Sequence, residues 1–411
     1  MATSTTMPKN NKKALFAALT GSGMDDMNVM FLSFALSSII MDLGLTGAQG
    51  GLISTITNLG MLLGGLVFGV LSDRKGNLKL FKWSVFIFSI ATAALFFADS
   101  FFWVCVFRFL AGIGAGGEYG IAMSIIAKIT PPEKMGKMSS FNGVAGQIGA
   151  IVAALLAGAI IPWLGWRALF LFGLIPVLLV LWLHFSVDGD FELMSTKEEI
   201  SLEKPSLSEL FKTKELSRTT VSLMFMTTVQ IAGYFGLMNW LPSILQQRLG
   251  LSVTGSSLWM VVTIIGMSAG MLTFGRLIDK FGSRTIFAIF LLASAASVFL
   301  FVYVSSSMAL LLGGAFVGFF VNGMFPGYGV IVSQLYPSRI HSIANNAVLN
   351  VGRAIGGFSS LVIGFLMDNY NLFVVMAFLS ILYLASFVVM LTVPGIKDKA
   401  TQTKTIIQKV I

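Results

Sequence analysis

Charge is what this sequence has least of: Asp, Glu, Lys and Arg make up 11% of its 411 residues, against 56% hydrophobic. With a mean hydropathy of +0.87, so few charges could not keep a folded domain in water, which excludes a soluble protein and leaves a polytopic membrane protein. Cysteine occurs once, at Cys105, ruling out an intrachain disulfide and any cysteine-based metal site. The two histidines, His184 and His341, have no metal-ligand partner at helical spacing, so no metal is expected. A glycine-rich loop ending in Lys-Ser/Thr is missing, which excludes direct drive by ATP. No nucleophile, base and metal set is visible, and an enzyme is not expected. The net charge of +9 would suit a nucleic acid, but the placement of the charges along the chain argues against one.

What is present is a succession of apolar runs long enough to cross a bilayer, each meeting the requirement of roughly 20 residues. They fall at 14–41, 50–72, 80–98, 101–126, 137–161, 166–185, 219–240, 254–278, 284–304, 308–332, 341–366 and 371–393. The fold expected is all-α, with twelve transmembrane helices. The basic start resembles a signal peptide, but the next segment carries Asp25 and Asp26 and no obvious cleavage site, which predicts a retained first helix. Pro131, Pro132, Pro162, Pro337 and Pro394 fall at or beyond expected helix ends, where a missing N–H does least harm.

If the N-terminus is cytoplasmic, Arg167 and Arg248 lie on the far side and Arg108 and Arg353 lie within the membrane. Every other Lys and Arg is then cytoplasmic, as the positive-inside bias requires. Both termini are expected in the cytoplasm, in a multi-pass protein of the plasma membrane. The one long polar connection defines a linker at 186–218, with a short amphipathic helix around Leu207 to Phe211, between bundles at 1–185 and 219–411. Those bundles repeat. A constant shift of 206 residues superimposes Gly44 on Gly250, Gly60 on Gly266, Gly64 on Gly270, Asp73 on Asp279, Gly76 on Gly282 and Gly112 on Gly318. Two pseudo-symmetric six-helix bundles around a midplane cavity follow from that regularity.

Inside the fourth apolar run, Arg108 and Glu118 are separated by small residues including Gly112, Gly114, Gly116 and Gly117. At ~1.5 Å per residue the two charges are about 15 Å apart along a helix, so both sit at membrane depth, where charges are costly and usually functional. The first run holds Asp25, Asp26 and Asn28, with Asp26 expected near Arg108. Hydrocarbon disfavours an ionised carboxylate while a nearby cation favours it, a balance that suits reversible proton binding; a fixed ion pair is the plainer reading. Glu118 is either a second proton carrier or a packing acid satisfied by neighbours. On the eleventh run Asn346, Asn350 and Arg353 form a polar stripe, and Arg353 repeats at Gln147 under the 206-residue shift. A guanidinium fork suits a carboxylate, though helix carbonyls or lipid phosphate would also satisfy Arg353. Asn28, Tyr119, Gln147, Tyr234 and Asn322 complete the candidate solute contacts, while Trp240 reads as an interfacial anchor.

The segment Gly69-Val70-Leu71-Ser72-Asp73-Arg74-Lys75-Gly76 and its echo Gly275-Arg276-Leu277-Ile278-Asp279-Lys280-Phe281-Gly282 resemble the signature cytoplasmic loop of the major facilitator superfamily. In that family the loop implies an acid, basic residues and a glycine turn that hold neighbouring helices in one state and release them in another. Arg108 to Glu118 resembles the fourth helix of its metabolite/proton and sugar porter branches. Gly23-Met24-Asp25-Asp26 sits where aromatic-acid/proton symporters carry Asp-Gly-Phe-Asp, Asp26 matching the second aspartate and Gly23 standing at the first. The resemblance implies a cofactor-free, proton-driven symporter of a small organic anion, working as a monomer in the bilayer. A neutral-solute or sugar symporter and a non-transporting receptor are the alternatives.

Overall fold

The computed structural model describes residues 8–130, 135–187, 206–304, 306–337 and 340–396. Its helices are α1 (Lys9–Leu43), α2 (Gly47–Lys75), α3 (Asn77–Ala94), α4 (Phe101–Ile129), α5 (Met135–Leu171), α6 (Ile175–Ser186), α7 (Lys214–Leu249), α8 (Val253–Phe281), α9 (Ser283–Leu300), α10 (Ser307–Gly323), α11 (Gly327–Leu335), α12 (His341–Gly356), α13 (Ser359–Asn369) and α14 (Leu372–Thr392). Among the described residues, eleven stretches are long and apolar enough to cross a membrane. One of them, Phe141–Ser186, has 46 residues, about 69 Å of helix against a hydrocarbon core of ~30 Å. It breaks at Gly165 (φ 77°, ψ 169°), so it contains two crossings and the expected total of twelve is met. Pro162 therefore lies inside α5, just before the turn; Pro131 and Pro132 fall outside the described residues. Two expected crossings are each built from two helices, α10 with α11 and α12 with α13, broken at 324–326 and 357–358.

The chain forms two compact units: 1–45 with 53–202 and 250–258, and 46–52 with 203–249 and 259–411. Each is built in the same way, and the 206-residue repeat explains how. Gly44 and Gly250 close α1 and α7 with φ of 61° and 60°, and Gly76 and Gly282 turn the chain at φ of 86° and 89°, a left-handed conformation that only glycine adopts at no cost. In the first unit a methyl group on Gly60, Gly64 or Gly112 would overlap the carbonyl oxygens of Phe109, Ile113 and Thr57. In the second, Gly266, Gly270 and Gly318 stand in the same relation to Ala315, Phe319 and Thr263. The offset holds for every pair. Small residues are how helices approach closely in lipid, where burial of apolar surface supplies no driving force between them.

Polar ties at helix ends repeat as well. Lys128 Nζ donates to Asn77 Oδ1 at 3.2 Å and Ser283 Oγ donates to Gln334 Oε1 at 2.7 Å, the same two positions in each unit. Ahead of α7, Ser206 and Glu209 form a capping box around the short helix Leu207–Phe211, reciprocally satisfying two backbone donors. This is the helix expected in the linker. Trp240 corrects the sequence reading: it is buried, and its Nε1 donates to the Ser360 carbonyl at 3.1 Å, so it is part of the packed interior rather than an interfacial anchor.

Candidate functional site

The polar residues of α1 and α4 converge inside the first unit. Asp25, Arg108 and Glu118 are 5%, 1% and 0% exposed. Arg108 is held from α2 and α1: its Nε donates to Thr57 Oγ1 at 3.2 Å, and its Nη1 to the Asn28 carbonyl at 3.4 Å. The negative charge acting on this guanidinium is that of Asp25. Here the structure departs from the expectation that Asp26 would be the neighbour. Consecutive helical residues point about 100° apart, and it is Asp25 that turns inward. With Asn28, Thr57, Phe88 and Thr92, Asp25 and Arg108 enclose a space of about 10 Å³, about enough for one water.

Glu118, further along α4, accepts a hydrogen bond from Ser22 Oγ at 3.4 Å and feels the charges of both Asp25 and Asp26. Its Oε2 is buried with no hydrogen-bond partner among the described residues, as is Asn28 Oδ1. Asp26 is half-buried and lies against α5. Asp25 thus acts on both the guanidinium and Glu118, and Asp26 acts on Glu118 as well. With every acid ionised the cluster carries an excess of negative charge, which binding of a proton reduces.

Sequence reading missed three members of this cluster, Ser22, Thr57 and Thr92. Small hydroxyls in apolar helices usually bond to their own helix, so nothing in their type marks them. Thr57 alone left a trace, since it recurs as Thr263 under the 206-residue shift.

The remaining candidates are distributed more widely. Tyr119 and Gln147 are half-buried in the first unit, on α4 and α5. In the second unit Asn322 is buried at the end of α10, and Tyr234 is half-buried on α7. Along α12, Asn350 and Arg353 are half-buried and Asn346 is exposed; the helix lies against α7, where Gly352 adjoins Thr227 and Gly356 adjoins Thr228. In the two repeated loops, Gly275 faces open space and Lys280 Nζ lies 5.2 Å over the Phe281 ring. Gly69 and the side chains of Asp73, Arg74 and Asp279 lie outside what is described. Among the described residues no three His, Cys, Asp or Glu side chains could hold a metal ion.

The sequence profile of the Major Facilitator Superfamily matches residues 18–262 and, overlapping them, 223–409. A Haemophilus influenzae protein named for metabolite transport is 36% identical over 396 residues, covering 94% of this chain and 97% of its own. The cis,cis-muconate transport protein of Acinetobacter baylyi is 29% identical, with coverages of 89% and 90%. Among solved structures, a D-xylose–proton symporter superimposes with a TM-score of 0.78 at 18% identity, covering 94% of this chain and 98% of that one; at that identity the likeness shows the fold. Twelve crossings in two repeated halves, a buried charged cluster and a profile match across both halves place this chain in the Major Facilitator Superfamily, as a multi-pass secondary transporter rather than an enzyme.

Proposed function

We propose that this transporter couples proton uptake to symport of a small organic anion by alternating access, in the plasma membrane, as a monomer with both termini cytoplasmic. Its working parts are bundles 1–185 and 219–411, joined by 186–218. The observation that carries the reading is the buried pair of Asp25 and Arg108, with Glu118 buried further along α4 and within the influence of both Asp25 and the half-buried Asp26. Acids at membrane depth are suited to taking up and releasing protons. Arg108 balances their charge, and Asn28 and Thr57 hold Arg108 in place. Arg353 takes the substrate carboxylate, with Tyr119, Gln147, Tyr234, Asn322, Asn346 and Asn350 as further contacts. The loops around Asp73 and Asp279 set the switch between states. That a relative is named for cis,cis-muconate, a dicarboxylate, supports an anionic substrate.

Proteoliposomes under an imposed inward proton gradient test this directly, with radiolabelled cis,cis-muconate and D-xylose as probes. The expected result is accumulation of the carboxylate, abolished by a protonophore, and none of the sugar. Accumulation of xylose alone replaces the anion reading with neutral-solute symport. Muconate uptake indifferent to the protonophore removes proton coupling.

A further inference from the structure

Three glycines of α5 face three different surroundings. A methyl group on Gly143 would meet nothing within 4 Å. One on Gly149 would overlap the backbone carbonyl of Gly23 on α1. One on Gly146 would overlap a side chain instead: its nearest neighbours are all atoms of Asp26, with Oδ2 closest, then Cγ at 3.1 Å and Cβ at 3.8 Å. The Asp26 carboxylate therefore occupies the volume that a side chain at 146 would fill.

This geometry points to Gly146 as a positioning residue for Asp26. Deepening the proposed function and resting on it, the inference is that the bare backbone of α5 at this residue sets where the Asp26 carboxylate stands, and so how it exchanges a proton. The next acid along α1, Asp25, faces Arg108, and both act on Glu118; a displaced Asp26 would change its distance to the cluster and its exposure. On α5 no charged residue lies between Phe141 and Ile161. A methyl group at 146 need move only the end of one short side chain, so Gly146→Ala should fold. A methyl group at 149 must separate two helices.

The test is an infrared titration of the purified transporter in lipid, following the protonated-carboxyl band that Asp26→Asn removes. We expect Gly146→Ala to move the midpoint of that band by about one pH unit or more, with its melting temperature near that of wild type, and Gly143→Ala to leave the midpoint in place. A wild-type midpoint in Gly146→Ala overturns the positioning role while leaving proton exchange at Asp26 intact. An equal displacement in Gly149→Ala also overturns it, because helix separation would then be sufficient. If Asp26→Asn removes no titrating band, the assignment of a proton to Asp26 falls and the positioning role with it.

Discussion

Arg108 keeps a charge at membrane depth because α1 and α2 supply it with Thr57 Oγ1, the Asn28 carbonyl and the charge of Asp25. A charge this deep is expensive to leave alone, and its expense made it legible: an arginine and a glutamate in an otherwise apolar run are conspicuous. Their partners were not, because a serine or threonine in an apolar helix looks the same whether it bonds to its own backbone or to a neighbour's side chain. Adjacent acids posed a further ambiguity, which only the rotation of α1 resolved in favour of Asp25 facing Arg108. For Asp26, the expected consequence of Asp26→Asn is loss of gradient-driven accumulation with substrate exchange retained, since exchange need not release the proton. Accumulation and counterflow in the same vesicles measure both, and unaltered pH-driven accumulation would remove Asp26 from coupling. Arg353→Lys keeps a charge but loses the planar fork. Losing one charge-assisted hydrogen bond should weaken cis,cis-muconate binding about ten- to a hundredfold, measured by calorimetry; affinity within twofold of wild type would show that no bidentate clamp exists.

Helices in this molecule are matched by absences of side chains as much as by their presence. Gly64 on α2 lets the Ile113 carbonyl approach, and its repeat Gly270 does the same for Phe319. Gly64→Ala should therefore cost about 1–3 kcal/mol, as overpacking does, and lower the melting temperature in detergent, whereas Gly275→Ala, in open space, should not. Equal melting of the two variants would mean that the backbone contact contributes nothing. The constant offset of these glycines was readable from sequence because each marks a place where only a hydrogen fits. Breaks at 324–326 and 357–358 were not legible as breaks, although Pro326-Gly327 and Gly356-Gly357 stand at them, because the apolar runs on either side are together long enough for one crossing each. A different device closes the start of α2. The Asp368 carboxylate accepts from the Gly47 N–H at 2.8 Å and the Ala48 N–H at 2.7 Å, satisfying two donors that a helix leaves open at its first turn. Asp368→Ala should remove about 1 kcal/mol from that turn and speed hydrogen exchange at 47–52, with Asp368→Asn in between; unchanged exchange in the alanine variant would assign the cap no energetic role.

At the scale of the whole chain, duplication was the most legible feature, because one shift aligns glycines, the repeated acid and the turns together. It also locates what a sequence cannot show, which is where each copy is bound. Residues 46–52 at the start of α2 belong to the second unit and 250–258 at the start of α8 to the first, although the rest of each helix belongs to the other unit. Both helices end at the repeated loops, at Gly76 and Gly282. The proposed switch between states is assigned to those loops. Asp73, three residues before Gly76, is the repeated acid in the first of them. Its replacement should therefore shift the balance between conformational states while leaving the binding groups of α1, α4 and α12 intact. The expected behaviour of Asp73→Ala is a redistribution of spin-label distances between the two loops, with cis,cis-muconate affinity within about threefold of wild type, a difference below ~1 kcal/mol. Transport should fall further than affinity, because turnover needs both states and binding needs one. If affinity collapsed while the distance distribution stayed as in wild type, the loop would belong to the binding machinery and the switch would have to lie elsewhere.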